Sequence, residues 1–174
     1  MGFDFRFRSI DSLTDVRKVA DFLVVQDLSY PGYQDWVMRT EHELAKGFKT
    51  AIIAEANKRI VGDLVYQQHK SLPKTMELKN MRIHPDVKDR YFAQFMLRNA
   101  EREARLQGMD RILCDVRETP AMDDVLNVLF RTGYNVLFRV PLYESMQEEI
   151  VLSKELNKAP RLMYKSGVIA LNSS

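Results

Sequence analysis

The hydrophobic period of the chain changes twice in its middle, and this change limits the folds open to it. Between residues 50 and 83 the apolar residues follow the pattern of strands, interrupted by Asn57-Lys58 and by a loop that contains Pro73. From about Lys88 to Gln107 apolar residues return at spacings of three and four, which indicates an amphipathic helix ended by Gly108. Its charged residues, Glu101 among them, are expected to face water. The middle section is therefore predicted to form three strands and then one long helix; the strands are Thr50–Ala56, Arg59–Lys70 and Thr75–Ile83.

Strand and helix signals alternate on both sides of this section. Before it come an alternating strand at residues 3–8, a helix capped by Asp11 or Ser12, and a second helix near residues 34–46. After it come a buried strand at 111–116, a helix from Thr119-Pro120 to Gly133, and strands at 134–143 and 149–156. Gly62 marks a candidate bulge in the second of the middle strands. The order βααβββαβαββ predicts an α/β (α+β) fold, with antiparallel hairpins early and a β-α-β crossover later.

Length and composition favour one ordinary domain. The 174 residues suit a single core, which we place at residues 1–156. A net charge of +2 argues against a general nucleic-acid binder, and a single cysteine excludes a disulfide framework. His42, His69 and His84 lie too far apart to suggest a metal site, and no apolar run approaches the ~18 residues of a membrane helix. With charges where a signal peptide needs its apolar core, the start of the chain leads us to expect a cytoplasmic protein without a metal.

The last residues, 157–174, are predicted to form a tail outside this domain. The tail carries Lys158, Arg161 and Lys165 and no acidic residue. Its apolar segment Val168–Leu171 favours docking, on this chain or on a second copy in a homodimer, over disorder.

The stretch between the third middle strand and the long helix reads Ile83-His84-Pro85-Asp86-Val87-Lys88-Asp89-Arg90-Tyr91-Phe92-Ala93. It resembles the central strand–loop–helix motif of the GNAT superfamily of acyl-CoA N-acyltransferases, where a strand ends at a His-Pro type stop. In that family a loop of the form R/Q-x-x-G-x-G/A then leads into a long helix. The helix that ends at Gly133-Tyr134 is similar to the family's later helix ending in Gly-Phe. The resemblance spans roughly residues 3–156 and implies a mixed, mostly antiparallel sheet flanked by helices, with acetyl-CoA as the cofactor.

The resemblance also implies where coenzyme A binds. Backbone N–H groups at the start of a helix favour an anion, so Lys88, Asp89, Arg90, Tyr91, Phe92 and Ala93 would hold the pyrophosphate. The exposed backbone of Met81, Arg82 and Ile83 would pair with the pantetheine arm as an added strand does. The alternative interpretation is a capped amphipathic helix without a ligand.

Tyr91 stands where the family has its first glycine, while Ala93 satisfies the second small position. We expect right-handed backbone angles at Tyr91, since it lies where the helix begins. Its ring would then point away from the pyrophosphate or cover it; alternatively the ring fills the phosphate site and blocks it.

Glu77 is the candidate general base, because it lies six residues before Ile83, where some members of the family keep a glutamate. A carboxylate beside a cleft can take a proton from an attacking amine, directly or through a water molecule. The structural alternative is that Glu77 pairs with a lysine of a neighbouring strand. Leu129 occupies the place of the family's tyrosine acid, and neither Thr119 nor Asn127 matches its usual asparagine.

Three other features have a structural and a functional interpretation. The segment Tyr30–Trp36 lies where the family binds its acceptor, although the spacing of Trp36 is more typical of a core residue. Asp123-Asp124 is typical of first-turn charge on a helix, and it could also attract a cationic substrate. Cys114 and Tyr134 are expected to be buried and unreactive.

The sequence thus predicts an N-acyltransferase that moves an acetyl or short acyl group from coenzyme A to an amine by direct attack. The amine would belong to a small molecule or a protein, and no membrane partner is expected. Two other classes stay open. A protein that keeps the fold but binds a ligand or partner without catalysis is favoured by Tyr91 and Leu129. An interaction protein whose basic tail contacts an acidic partner or nucleic acid is disfavoured by the small net charge.

Overall fold

The order of strands and helices along the chain agrees with the predicted order. The computed structural model describes residues 4–26, 30–88, 90–144 and 147–156, so Asp89 and the predicted tail 157–174 lie outside the described residues. The strands are β1 Phe5–Ser9, β2 Thr50–Ala56, β3 Arg59–Gln68, β4 Thr75–Ile83, β5 Arg111–Arg117, β6 Asn135–Glu144 and β7 Gln147–Glu155. The helices are α1 Leu13–Val24, α2 Tyr33–Ala45, α3 Phe92–Leu106 and α4 Asp123–Arg131. Short 3₁₀ turns at Pro85–Val87 and Pro120–Met122 precede α3 and α4.

The strands form one seven-stranded sheet in the order β1-β2-β3-β4-β5-β7-β6. Neighbouring strands are antiparallel except β4 and β5, which are parallel because α3 carries the chain back between them. The predicted α/β (α+β) class, with a mixed and mostly antiparallel sheet, is confirmed.

Two hydrophobic clusters hold the helices against opposite faces of the sheet. On the α1/α2 face the buried side chains include Val19, Leu23, Val37, Ile53 and Val65. On the α3/α4 face they include Leu64, Leu78, Met96, Leu97 and Leu129. The side chains of β3 alternate between the two clusters, as expected for a strand covered on both faces.

β4 and β5 separate after a short paired segment. They pair only where Thr75–Leu78 of β4 lies beside residues 111–114 of β5. Beyond that point β5 continues along β7 to Arg117, and β4 continues along β3 to Ile83. Within the described ranges, the β4 edge from Lys79 to Ile83 thus has no strand partner on the β5 side. The diverging strands open a cleft through the sheet.

The predicted bulge in β3 is confirmed next to Gly62. Val61 is skipped in the pairing with β2, directly after the pair of Gly62 with Ala54. A β-carbon at position 62 would lie 2.9 Å from the side chain of Ile83, so glycine lets β3 and β4 approach at this point.

A second bulge, in β4, changes the face that Asn80 occupies. Lys79 is skipped in the pairing with β3, so that Leu78 lies opposite Tyr66 and Asn80 lies opposite Val65. Without the extra residue, Asn80 would share the α3/α4 face with Leu78. The bulge places it on the α1/α2 face instead.

Two predicted details are wrong. The helix expected from about Lys88 begins only at Phe92, because a 3₁₀ turn and a left-handed residue, Tyr91, come first. Glu101 was expected to face water, but it is 6% exposed, since Lys154 reaches its carboxylate at 2.6 Å.

Candidate functional site

The divergence of β4 from β5 opens a cleft of about 550 Å³, which side chains line from both faces of the sheet. This volume suits a small-molecule site. The wall on the α1/α2 face is aromatic and polar, with Tyr30, Tyr33, Trp36, Lys79, Asn80, Arg82 and Asp115. The wall on the α3/α4 face is apolar, with Leu78, Met81, Leu97, Met122, Val125 and Leu129.

The aromatic wall is built by the start of α2 and the residues just before it. The Tyr30 hydroxyl accepts a hydrogen bond from the backbone N–H of Arg117 at 3.1 Å, and burial raises the pKa of this hydroxyl. The Tyr33 hydroxyl donates to the Leu23 carbonyl at 2.9 Å, and its ring stacks on Trp36 with centroids 5.7 Å apart. Trp36 both lines the cleft and packs on the α1/α2 cluster, so both interpretations of its spacing apply.

Behind this wall lies a buried carboxylate, Asp63 of β3, which is 0% exposed. The Asn80 side chain donates from Nδ2 to Oδ2 of Asp63 at 2.7 Å. No hydrogen-bond partner for the other oxygen, Oδ1, exists among the described residues. Burial raises the pKa of Asp63 to about 7, although Asn80 and Arg82 act in the opposite direction.

Arg82 lies opposite Asp63 in the pairing of β3 with β4, yet its guanidinium is directed elsewhere. It donates to the carbonyl of Met81 at 3.0 Å and to that of Gln26 at 3.4 Å, and it lies 6.0 Å from the Tyr33 ring centroid. Asp63 therefore accepts its hydrogen bond from the Asn80 amide, although a cation, Arg82, lies opposite it in the pairing of the two strands.

The predicted cofactor-binding residues lie along the unpaired β4 edge and in the turn before α3. Met81, Arg82 and Ile83 are half-buried on that edge. Lys88 and Arg90 are exposed in the turn, and Asp89 lies outside the described residues. The β4 edge thus lies beside the cleft, and the chain continues from it through the 3₁₀ turn Pro85–Val87 toward the start of α3.

The first turn of α3 is anchored by Phe92. Its ring meets Phe5 and Phe7 edge to face, with centroids 5.0 and 5.2 Å apart, and Ala93 is half-buried beside it. The N–H groups of the first turn of a helix lack partners within the helix. The side chain of the preceding residue, Tyr91, makes no capping hydrogen bond, so these groups are available to an anion.

The expectation of right-handed backbone angles at Tyr91 is wrong. Its φ of 61° and ψ of 12° lie in the left-handed region, which glycine adopts without the cost that a side chain adds. Its side chain is 68% exposed. The position therefore requires the backbone that the family's glycine provides, but a tyrosine adopts it.

Glu77, the predicted base, is held by hydrogen bonds on the α1/α2 face. It accepts from Lys79 Nζ at 2.9 Å and from Gln67 Nε2 at 2.8 Å. Burial would raise the pKa of Glu77, but these two neighbours outweigh it and lower the pKa. Of this group Lys79 lines the cleft, and Glu77 is not among the described lining residues. The lysine lies on the same strand, whereas the structural interpretation placed it on a neighbouring one.

Other candidates from the sequence are accounted for by burial or position. Leu129 lines the cleft but carries no proton to donate. Cys114 and Tyr134 are buried, as expected, and this burial raises the pKa of the thiol and of the hydroxyl. Asp123 and Asp124 are exposed in the first turn of α4. Among the described residues, no group of three or more His, Cys, Asp or Glu could hold a metal ion, and no helix has the length and apolar character needed to span a membrane.

Sequence reasoning missed Asp63, Asn80 and Asp115. Asp63 had a signal, since an aspartate between Gly62 and Leu64 interrupts an otherwise apolar strand. Asn80 had none, because its face depends on the bulge at Lys79. Asp115 lies in β5 just beyond the segment that pairs with β4. It lines the cleft because β4 and β5 diverge at that point.

Comparison with known proteins relates this architecture to acetyltransferases. No protein-family model matches the sequence, and no curated protein matches it. The structure is similar to that of a protein assigned to the GNAT family of acetyltransferases from Desulfovibrio desulfuricans, with a TM-score of 0.78 and 14% identity, over 88% of this chain and 99% of that one. It is also similar to the ribosomal-protein-S18-alanine N-acetyltransferase from Escherichia coli, with a TM-score of 0.68 and 14% identity, over 92% of this chain and 99% of that one.

A third similar structure carries the cofactor. It is assigned as an acetyltransferase from Salmonella typhimurium, was solved with acetyl-CoA, and matches with a TM-score of 0.68 and 14% identity, over 90% of this chain and 96% of that one. At such identities the likeness concerns the fold. The chain has the fold of the GNAT acetyltransferases.

Proposed function

We propose that the chain is an N-acyltransferase that moves an acetyl group from coenzyme A to an amine. The observation that carries this proposal is the unpaired β4 edge from Lys79 to Ile83. Residues 79–82 of this edge line the cleft, and a short 3₁₀ turn joins the edge to the segment that enters α3. An unpaired strand edge can bind an extended amide chain, and an uncapped helix start can bind phosphate. The fold shared with acetyltransferases supports the same activity.

The residues present fit coenzyme A. The backbone of Met81, Arg82 and Ile83 would hold the pantetheine arm, and the N–H groups of residues 88–93 would hold the pyrophosphate. Lys88 and Arg90 add positive charge beside the anion. When bound, the cofactor supplies the acyl thioester that an amine attacks.

The aromatic and polar wall of the cleft would hold the acceptor amine. Glu77 is the proposed base, and because it does not line the cleft, it would take the amine proton through a water molecule near Lys79. At Leu129 the chain offers no acid for the departing thiolate. The amine substrate itself belongs to a small molecule or a protein.

A non-catalytic ligand-binding protein with this fold is the second candidate. The presence of Leu129 on the cleft wall favours it, because the family places its proton donor at that position. The two candidates differ in turnover, because the second binds a ligand or partner without catalysis.

The first prediction is that coenzyme A stabilises the protein. At a concentration about 100 times its dissociation constant, it should add about 2.7 kcal/mol to the free energy of unfolding. The melting temperature should then rise by roughly 5–10 °C. Neutralising Lys88 and Arg90 with glutamine should reduce the shift, whereas the same change at Arg17 and Lys18, exposed on α1, should not.

No melting shift and no calorimetric heat at millimolar coenzyme A would overturn the proposed function. If the cofactor binds, thiol release from acetyl-CoA is then followed with an aliphatic amine, a polyamine, an aromatic amine and a peptide α-amine. Amine-dependent release identifies an enzyme, and binding without any release identifies the non-catalytic protein.

A further inference from the structure

The cleft contains a second polar arrangement that the cofactor does not use. It consists of Asp63, which is 0% exposed, and Asn80, which is 7% exposed and lines the cleft. A buried carboxylate normally has several donors around it, since desolvation of its charge is costly. Here a single amide donor serves it, at 2.7 Å, within the described part of the chain.

The nearby cation, Arg82, makes no hydrogen bond or ion pair with Asp63 within the described part of the chain, so it offsets only part of this cost. Arg82 lies opposite Asp63 in register but donates to the carbonyls of Gln26 and Met81. Among the described residues, Arg82 is the charged side chain that acts on the pKa of Asp63, which it lowers. No charged group of β2 or α1 in the described structure acts on this pKa. Within the described part of the chain, the side-chain hydrogen bond that Asp63 accepts is therefore the one from the Asn80 amide.

The orientation of the Asn80 amide decides whether its donor or its acceptor atom faces a ligand in the cleft. An amide carries its donor and its acceptor on opposite sides of one carbon. Because Nδ2 of Asn80 is bound to Asp63, the amide oxygen is turned away from β3. In the described structure this oxygen accepts no hydrogen bond, and it is not among the atoms that are sealed from solvent without a partner.

We propose that Asp63 holds the Asn80 amide with its oxygen toward the cleft, where that oxygen accepts a hydrogen bond from an N–H of the acceptor amine. The inference rests on the proposed function for its ligand, an amine. Asn80 would contact the acceptor, and Asp63 is a positioning residue that acts through Asn80. The bulge at Lys79 is what brings the two side chains to the same face.

The first test follows the Asn80 side-chain amide by NMR in the protein without ligands. Its resonances, assigned by their loss in Asn80→Leu, should shift with a midpoint near pH 7 in the wild type, because they report the charge of Asp63. Asp63→Asn should abolish this titration, whereas Asp21→Asn, at an exposed site on α1, should leave it intact. Resonances that do not titrate, or that titrate equally in Asp63→Asn, would overturn the pairing.

The second test measures kinetic constants with the best amine of the panel described above. Loss of one hydrogen bond in Asn80→Leu should raise the acceptor KM about five- to tenfold and leave the acetyl-CoA KM within about twofold. Asn127→Leu, at an exposed site on α4, is the matched control and should change neither constant. An unchanged acceptor KM in Asn80→Leu would overturn the contact with the amine.

Asn80→Leu leaves the Asp63 carboxyl without its donor and therefore destabilises the fold. A double variant distinguishes this effect on folding from the loss of the contact with the acceptor amine. Asp63→Asn combined with Asn80→Leu carries no buried charge and should fold, with the same increase in acceptor KM. If the wild type acetylates no amine, the role toward the acceptor fails together with the proposed function. The NMR titration still decides whether Asp63 holds the amide, so the two failures are distinguishable.

Discussion

Asp15 and Asp63 are both buried on the α1/α2 side of the sheet, but their surroundings differ. Asp15, at the start of α1, receives two hydrogen bonds from Arg8 at 2.5 and 2.9 Å, and Arg8 also binds Glu55. These contacts lower the pKa of Asp15 to about 2. Asp63 receives one amide hydrogen bond, and burial raises its pKa to about 7.

The comparison separates two uses of a buried carboxylate. The cluster of Arg8, Asp15 and Glu55 joins β1, β2 and α1 far from the cleft, and its charges satisfy one another. The pair of Asp63 and Asn80 joins β3 to the cleft wall and leaves one carboxylate oxygen without a partner in the described structure. A hydrogen-bonded cation offsets much of the cost of desolvating a buried carboxylate, whereas a single amide leaves most of that cost in place. The costly arrangement occurs beside the cleft, where positioning a ligand can compensate for it.

Glu77 should give the largest effect and tests whether a carboxylate paired with a cation is always structural. It has a cation partner, Lys79, and it is also the proposed base. If Glu77 takes the amine proton, Glu77→Gln should lower turnover by about 10²–10⁴-fold and leave coenzyme A binding unchanged. Glu155→Gln, which removes an exposed partner of Arg111, is the control and should keep full turnover. Turnover of Glu77→Gln within a few-fold of the wild type would place Glu77 with Asp15, as a structural carboxylate.

Asp15→Asn tests the structural side of the comparison. At pH 7 it should lower the free energy of unfolding by about 2–3 kcal/mol, since a carboxyl whose pKa falls from 3.8 to about 2 on folding stabilises the folded state. This contribution is present above pH 3.8 and is lost as the pH falls toward 2. Chemical denaturation at pH 7 and pH 2.5 measures it, with Asp21→Asn as the exposed control. An equal loss of stability at both values would contradict an electrostatic origin.

The sequence predicted most of the fold because strand periodicity and turn residues agree locally. The strands at Thr50–Ala56 and Thr75–Ile83 have the predicted bounds, since Asn57-Lys58 and His84-Pro85 end them sharply. The burial of Glu101 was missed, because it depends on Lys154, which lies 53 residues away in sequence. Local patterns do not report such distant partners.

The site was less predictable for the same physical reason. The backbone of Met81–Ile83 could be placed from a motif, but the cleft exists only because β4 pairs with β5 over a short segment. The face of Asn80 depends on the bulge at Lys79, which a regular alternation does not reveal. The partner of Asp63 is therefore a property of the register between β3 and β4 and not of either strand alone.

Asp63→Asn tests the other side of the comparison and should have an effect of opposite sign. A carboxyl whose pKa rises from 3.8 to about 7 on folding holds its proton more tightly in the folded state. The stability of the wild type should therefore fall as the pH rises from about 4 to 7, relative to the variant. Between pH 5 and pH 8 the free energy of unfolding of the wild type should fall by about 2–3 kcal/mol relative to that of Asp63→Asn. A pH-independent difference in the denaturation midpoints would show that Asp63 does not titrate in this range.

Tyr91→Gly should have the smallest effect. It extends the comparison to the turn before α3, where the unfavourable free energy comes from left-handed backbone angles and not from a buried charge. Glycine adopts a φ of 61° without a side-chain penalty, so the variant should gain about 1 kcal/mol in the free energy of unfolding. Lys58→Gly, at an exposed turn with a φ of 67°, is the matched control and should gain a similar amount. This part of the effect depends on the backbone alone.

The affinity for coenzyme A separates the two interpretations of the tyrosine ring, because only a ring that fills the phosphate site increases the affinity when it is removed. The ring is 68% exposed, so we expect calorimetry to give dissociation constants for Tyr91→Gly and the wild type within about threefold, a difference under 1 kcal/mol. Lys58→Gly should bind as the wild type does. A gain of tenfold or more in Tyr91→Gly would mean that the ring obstructs the phosphate site. The strained backbone at Tyr91 would then serve to close that site, and the non-catalytic candidate would be favoured over the acyltransferase.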